Sequence, residues 1–274
     1  MTDAARCTAI VLAGSREPAA DPVARAAGVP VKALARVGGV PMLARVLDAL
    51  AASGRVERTA VLVDAATLRL PPPELVRLLE RPGVLSLPAA ESPSRSVLAA
   101  IERLGDAGFP YLVTTADHPL LTDGMIRRFL DGVDARADAA LALAAASNVA
   151  RAYPDAVRTF YRLGRERYSG CNLFLLRTPA GRRLPAFWSD LERHRKRPWR
   201  LVAAIGFGPL LGFLLNRLDL ARAMAELGRI AGARVAAVVL PEPEAAIDVD
   251  KPADLALAER ILAARPGAAA GRPG

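Results

Sequence analysis

Short apolar runs and stretches with helical spacing alternate along the chain from Thr8 to about Ala145. The run Thr8-Ala9-Ile10-Val11-Leu12 predicts a first strand and breaks at Ala13-Gly14-Ser15-Arg16 into a polar loop that ends at Lys32. A short extended run over 33–37 follows. Pro41 then stands at a first-turn position, and Met42, Val46, Leu47 and Leu50 recur at helical spacing up to Gly54. The β-branched run at 59–63 predicts a second core strand, Pro71-Pro72-Pro73 punctuates, 74–80 is helical and 84–87 is a brief strand. Residues 92–104 place Val97, Leu98, Ile101 and Leu104 on one helix face. A buried strand at 110–115 leads to an acidic turn at Asp117, and Thr122 caps a helix carrying Met125, Ile126 and Phe129. A strand at 139–145 completes the alternation.

This order predicts an α/β fold with three α/β/α layers, Rossmann-like, around a mostly parallel mixed sheet. In such sheets ligands sit beyond the carboxyl ends of the strands, where Gly14 and Asp117 both fall.

The middle of the chain differs. Strands at 157–161 and 172–177 flank a loop, 163–171, that holds Arg165, Arg167, Tyr168, Ser169 and Gly170. A helix with Phe187, Trp188 and Leu191 leads into the basic run 193–200, and 201–215 is apolar apart from its glycines and Pro209. A strand at 235–240 and an amphipathic helix at 252–264 close the chain. The expected organisation is one domain over 1–264, with a hairpin and a basic and apolar helical insert at 150–230. The Ala/Gly/Pro-rich tail 265–274 is expected to be disordered.

Composition narrows the partners. With 274 residues and 52% hydrophobic content, the chain is long and apolar enough to bury a substantial core. Its net charge of +9 favours anionic partners such as phosphorylated small molecules and anionic membrane surfaces. Only 5% of residues are aromatic and none alternate with basic residues, which argues against a nucleic-acid stacking platform. Cys7 and Cys171 stand far apart without metal spacing and are expected as buried apolar residues in a reducing compartment. The first apolar run is too short to span a membrane, so a cytoplasmic protein is expected.

The candidate chemistry starts at the first loop. A strand that stops at Gly14, with Arg16 and Lys32 nearby, suits phosphates: glycine lets the backbone come close, free N–H groups point at the anion, and the cations add charge. Asp117 ends a strand. Asp248 and Asp250 alternate with Val249, so in an extended segment both carboxylates share a face. Each acidic site has a plain alternative as a turn or helix cap. If the sheet brings them to one edge, the carboxylates suit Mg²⁺ bridging a triphosphate while an acceptor oxygen attacks and pyrophosphate leaves.

Leu12-Ala13-Gly14, Lys32-Ala33-Leu34, residues 38–43 (GGVPML), Ala116-Asp117-His118-Pro119 and residues 247–255 (IDVDKPADL) together resemble the MobA-like nucleotidyltransferases. The resemblance is clear over 8–145 and 245–264. It implies a GT-A-like nucleotidyltransferase fold, an NTP substrate (GTP or CTP), Mg²⁺ and pyrophosphate release. By position it implies that Ala13, Gly14 and Ser15 line the nucleotide. Arg16 and Lys32 would hold the phosphates, with Asp117 acting beside them. Asp117 and Asp250 would bind Mg²⁺, with Asp248 the less favoured candidate ligand. Arg95 and Ser96 are implied nucleotide contacts, with simple N-capping over 94–96 as the alternative. The chain departs from the family pattern at Ser15, where a second glycine is usual, and between Glu17 and Pro30, which lack the usual Gly-x-x-Arg-Met-Gly arrangement.

Residues 168–174 (YSGCNLF) look like the acceptor-side loop of such enzymes. Tyr168, Ser169 and Asn172 offer hydrogen bonds, and Arg158, Arg165 and Arg167 offer charge for an acceptor phosphate, a solvated basic hairpin being the alternative. The stretch 193–215 reads either as a basic helix end before core helices or as a membrane-surface patch for anionic head groups. Two other functions stay open at this point. One is a GT-A glycosyltransferase using a sugar nucleotide, which Asp248-Val249-Asp250 superficially fits. The other is a non-catalytic nucleotide-binding or membrane-associated relative.

Overall fold

Along the first strand the side chains alternate between two cores. Cys7, Ala9 and Val11 enter one apolar cluster and Ile10 the other, as the two-residue period of a strand buried on both faces requires. The computed structural model describes residues 6–15, 20–194 and 218–265. Its strands are β1 (Cys7–Leu12), β2 (Arg36–Val37), β3 (Val40–Pro41), β4 (Val56–Val63), β5 (Val84–Pro88), β6 (Tyr111–Thr115), β7 (Ala139–Ala145), β8 (Tyr161–Leu163), β9 (Glu166–Leu176) and β10 (Val235–Leu240). The main sheet runs β10-β7-β9-β6-β1-β4-β5, with β8 paired to the start of β9. Within that row only β9 opposes its neighbours, β6 and β7; the other pairings are parallel. The expected mixed, mostly parallel sheet is therefore present.

The helices are α1 (Pro22–Ala26), α2 (Met42–Ala52), α3 (Ala65–Arg69), α4 (Pro73–Leu79), α5 (Pro93–Leu104), α6 (Asp123–Gly132), α7 (Ala146–Ala152), α8 (Arg183–His194), α9 (Leu220–Ala231) and α10 (Pro252–Ala263). Leu43, Val46, Leu47 and Leu50 of α2, Leu75 and Leu78 of α4, and Met125, Ile126 and Phe129 of α6 cover one sheet face. Val97 and Ile101 of α5, Leu184 of α8 and Leu227 of α9 cover the other. Each such fully buried aliphatic side chain contributes roughly 1.5–3 kcal/mol. Thr122 caps α6 through its side chain, as its position predicts, and Ser92, rather than a residue of 94–96, caps α5.

A third cluster sits beyond the strand ends. Val23 of α1, Met42, Leu120, Ile247, Val249 and α10 residues Leu257, Ala258 and Ile261 pack together there. Ile247 and Val249 are wholly buried, so the intervening Asp248 and the following Asp250 are turned away from this core. Val249 N–H donates to Asp117 O at 2.9 Å, which stitches the closing segment to the turn after β6.

Three local readings need correction. The extended run expected at 33–37 opens as a 3-10 turn, Lys32–Leu34, and only Arg36–Val37 is strand. The strand expected at 157–161 is β8, Tyr161–Leu163, because Arg158 turns its side chain inward to an acidic cluster instead of joining a ladder. The loop expected at 163–171 is mostly strand: β9 begins at Glu166, and a tight turn at Gly164, whose φ of 67° suits glycine, closes the hairpin. Of the tail 265–274, Arg265 is described, and it donates to Leu120 O at 3.1 Å. The remainder, and the stretch 193–215 after the last two residues of α8, lie outside the described residues. Among the described residues no helix is long and apolar enough to cross a membrane.

Candidate functional site

Four parallel strands end side by side in the order β5-β4-β1-β6, and their exits carry the candidate residues. A cleft of about 500 Å³ opens over the first three. Gly14 and Ser15 after β1, Asp64 after β4, and Glu91, Ser92 and Ser96 at the entry of α5 line it. Gly14 is required by close approach: a Cβ there would lie 2.9 Å from the Ala89 methyl, across the cleft floor. Ala13 N–H donates to Leu62 O, so the first turn after β1 is tied to its neighbour strand. Ser96 lines the cleft but spends its hydroxyl locally, donating to Ser92 O at 2.9 Å and accepting from Ala90 N–H at 2.8 Å. Arg95 pairs with Glu91 on the helix surface and is not among the lining residues.

Beside the cleft, on the β6 side of β1, the distant acids meet. Lys32 Nζ lies 2.6 Å from Asp117 Oδ2 and 3.3 Å from Asp250 Oδ1. Burial alone would lower the Lys32 pKa, but the two carboxylates outweigh it and hold the ammonium above its ordinary value. Asp117 Oδ1 is buried and, among the described residues, has no hydrogen-bond partner. The Asp250 side chain is 63% exposed and, among the described residues, has Lys32 as its one hydrogen-bond partner. So the two outer acids each keep a free oxygen.

Asp248 is different. Arg158 Nη1 donates to its Oδ1 at 2.5 Å, Asn172 Nδ2 donates to its Oδ2 at 2.6 Å, and Arg158 Nη2 donates to its backbone carbonyl at 2.8 Å. Burial still raises its pKa, helped by the charges of Asp250 and Asp117 and opposed by Arg158 and Asn172. Arg158 Nη2 also reaches Asp254 Oδ1 at 3.2 Å, and Asp254 Oδ2 accepts from the backbone N–H groups of Asp250 and Lys251. Among the described residues the connected network thus holds four carboxylates against two cations. With all four ionised it carries two uncompensated negative charges, the charge of one divalent ion.

Among the described residues no three His, Cys, Asp or Glu side chains form a ready-made metal cage. Asp117 and Asp250, each with a spare oxygen, nevertheless fit Mg²⁺, which binds through one or two carboxylates and fills its remaining positions with water and substrate phosphate. Asp248 has both oxygens engaged. His118, next to Asp117, is wholly inside; burial lowers its pKa to about 4 and keeps the imidazole neutral.

The structure therefore brings together Lys32, Asp117, Asp250 and Asp248, while Gly14 and Ser15 line the cleft over β1, β4 and β5 and Ala13 is tied to β4. Arg16 lies outside the described residues. On the β9 side only Asn172 joins the acids. Tyr168 is half-buried and Ser169 buried four and three positions up the strand, so at about 3.3 Å per residue Tyr168 lies roughly 13 Å from Asn172. Arg167 is exposed and stacks over the Phe160 ring at 6.0 Å. Arg158, read from the sequence as an acceptor contact, has its guanidinium occupied by Asp248 and Asp254 instead. Sequence reasoning missed Asp254 and Asp64. Asp254 looks like a first-turn helix acid, and Asp64 caps α3 through Thr67; the signal for Asp64 was its place just after a core strand.

Comparison with known proteins follows this geometry. A family model described as the MobA-like NTP transferase domain matches residues 9–234. The match ends before Asp248 and Asp250, so those acids come from the segment beyond it. A hypothetical transferase from Thermus thermophilus has a similar structure, with 32% sequence identity, a TM-score of 0.75, and coverage of 91% of this chain and 99% of that one. The 4-diphosphocytidyl-2C-methyl-D-erythritol synthase of Anaerococcus prevotii shares the fold at 11% identity and a TM-score of 0.58, covering 95% of this chain and 99% of its own. CMP:2-keto-3-deoxy-manno-octonic acid synthetase, solved with CTP, shares it at 15% identity and a TM-score of 0.56, covering 94% and 98%. Sequence comparison with curated proteins gave no match.

Proposed function

Because the chain belongs to the MobA-like NTP transferase domain family, we propose that it moves a nucleotidyl group from GTP or CTP to a phosphorylated small molecule, with Mg²⁺ bound and pyrophosphate released. The observation that carries this reading is the meeting of Lys32 with Asp117 and Asp250 beside the cleft over β1, β4 and β5.

The cleft takes the base and ribose, and the turn Ala13-Gly14-Ser15 presents backbone to the phosphates. Lys32, and Arg16 from its place in the sequence, supply positive charge for the triphosphate. Asp117 and Asp250 would hold Mg²⁺. When bound, the ion neutralises charge on the triphosphate. An oxygen of the acceptor phosphate attacks the α-phosphorus, the α–β P–O bond breaks, and pyrophosphate leaves with the electron pair. The chain's own work is positioning and electrostatics, with no covalent intermediate. Tyr168, Ser169 and Arg167 on the β8–β9 hairpin, which pairs with the end of β7, are the acceptor-side residues in this reading. Asp248 is a bystander to the ion because its oxygens are engaged by Arg158 and Asn172. The same engagement leaves only one free acid in Asp248-Val249-Asp250, which favours nucleotidyl over glycosyl transfer.

The test is incubation of the full chain with each NTP, Mg²⁺ and a pool of phosphorylated metabolites. Pyrophosphate release with a nucleotidylated product is the expected result. Sugar transfer from a sugar nucleotide, or nucleotide binding without turnover, would overturn it.

A further inference from the structure

The buried Arg158 belongs to neither the cleft nor the acceptor hairpin, yet it grips both sides of Asp250. Its side chain is 7% exposed. On the near side it binds the Asp248 carboxylate and the Asp248 backbone carbonyl. On the far side it binds Asp254, whose other oxygen accepts from the backbone N–H groups of Asp250 and Lys251. A second clamp comes from β9. Asn172 is, among the described residues, the one non-glycine with positive φ, at 47°, and it sits where the β7–β9 register shifts. Asparagine tolerates this left-handed conformation, and the bulge aims its amide at Asp248 Oδ2. The backbone around Asp250 is thus fixed from two directions, while its carboxylate stays open to solvent.

We infer that Arg158 and Asn172 are positioning residues for the divalent ion: by occupying Asp248 they make it an anchor and present Asp250 as the ligand. The inference rests on the proposed Mg²⁺ role of Asp117 and Asp250. It assigns the two acids of the closing segment different jobs. It also gives Arg158, which reads in the sequence as an acceptor contact, no direct contact with substrate. Buried partners of this kind orient the groups that ligate a metal, and their loss typically weakens metal binding by about 10–100-fold.

The experiment is a titration of the full chain with Mn²⁺ in the presence of CTP, and separately of GTP, followed by EPR. Nucleotide affinity without metal is measured alongside. Arg158→Met is expected to weaken Mn²⁺ by about 10-fold or more and to leave metal-free nucleotide affinity within about 2-fold. Adding Asp248→Asn, which removes the carboxylate left unpaired, is expected to recover part of the lost Mn²⁺ affinity, since contacting residues couple. Asn172→Gly, which keeps the left-handed backbone and deletes only the amide, is expected to weaken Mn²⁺ in the same direction; it carries the test if Arg158→Met does not fold. Unchanged or tighter Mn²⁺ binding in the single variants overturns the inference and leaves the site reading intact, as does a double variant with no recovery. A wild-type chain that binds no Mn²⁺ with either nucleotide overturns the site reading itself.

Discussion

Lys32 and Asp117 stand 85 positions apart in the chain and meet as an ion pair at 2.6 Å. The lysine opens a 3-10 turn before β2, and the aspartate ends the turn after β6. Both side chains are about four-fifths shielded from solvent, so screening is weak and the contact holds the ammonium charged. The Lys32 pKa is raised in the fold, so what the pair adds to stability is present below its ordinary pKa of 10.5 and is lost only as pH climbs through the raised value. The ammonium holds Asp117 Oδ2 and Asp250 Oδ1, and among the described residues the opposite oxygen of each carboxylate has no partner.

From this pairing, Asp117→Asn and Lys32→Met are expected to cut nucleotidyl transfer by about 100-fold or more, the scale of losing a charged group aimed at the reacting phosphates. They should part company on metal. Asp117→Asn should weaken Mn²⁺ measured without nucleotide, whereas Lys32→Met should tighten it, because a positive charge beside both carboxylates is gone. Mn²⁺ EPR on the two variants checks the split, and equal effects would count against a shared locus.

Gly14 tests the cleft. A side chain there meets the Ala89 methyl at 2.9 Å, so Gly14→Val must push the turn after β1 away from the exit of β5. Misplacing the phosphate-facing backbone by about 1 Å is expected to raise KM for the NTP roughly 10-fold or more. Thermal melting should move little beside that change, and steady-state kinetics with pyrophosphate detection reads both constants.

His118 sets an acid limit on the fold. Its pKa falls from 6.5 to about 4 because burial penalises the charged imidazolium. The unfolded chain therefore binds the proton first, and stability present above pH 6.5 is lost as pH falls toward 4, on the order of 3 kcal/mol at about 1.4 kcal/mol per pH interval. Denaturant melts across that window should show the loss, and His118→Gln should flatten the slope. A wild-type profile level between pH 6.5 and 4 would refute the buried neutral state.

The basic run 193–200 and the apolar run 201–215 carry a prediction from sequence alone. Co-sedimentation with vesicles rich in anionic lipid should exceed that with neutral vesicles and fall with added salt. Equal partition onto both vesicle types would remove the membrane reading.

Most of the sheet was legible because its strands are buried on both faces and read as apolar runs. β1, β4, β6 and β7 carried that signal, while the edge strands β5 and β10, only partly buried, were legible as short apolar runs. Residues 157–171 were not legible, since β8 and the start of β9 are rich in Arg, Glu and Tyr and form a solvent-facing hairpin whose period is masked. At the site, Lys32, Asp117 and Asp250 could be named from residue type and order. What sequence could not give was the partnership of each charge. Arg158 and Asn172 look like substrate contacts in one dimension; only the fold shows that both are spent on Asp248. Asp254 hides behind its other role, since a first-turn acid is what any helix start prefers.

The bond from Val249 to the Asp117 carbonyl has a consequence for the order in which the molecule becomes complete. Asp117 leaves the ribosome well before Asp250, and the sheet up to β9 can pair without the closing segment. Until that last stretch has emerged and docked, the central acid has only a lysine for company. The full electrostatic trap thus exists only while the closing segment stays docked on the turn after β6.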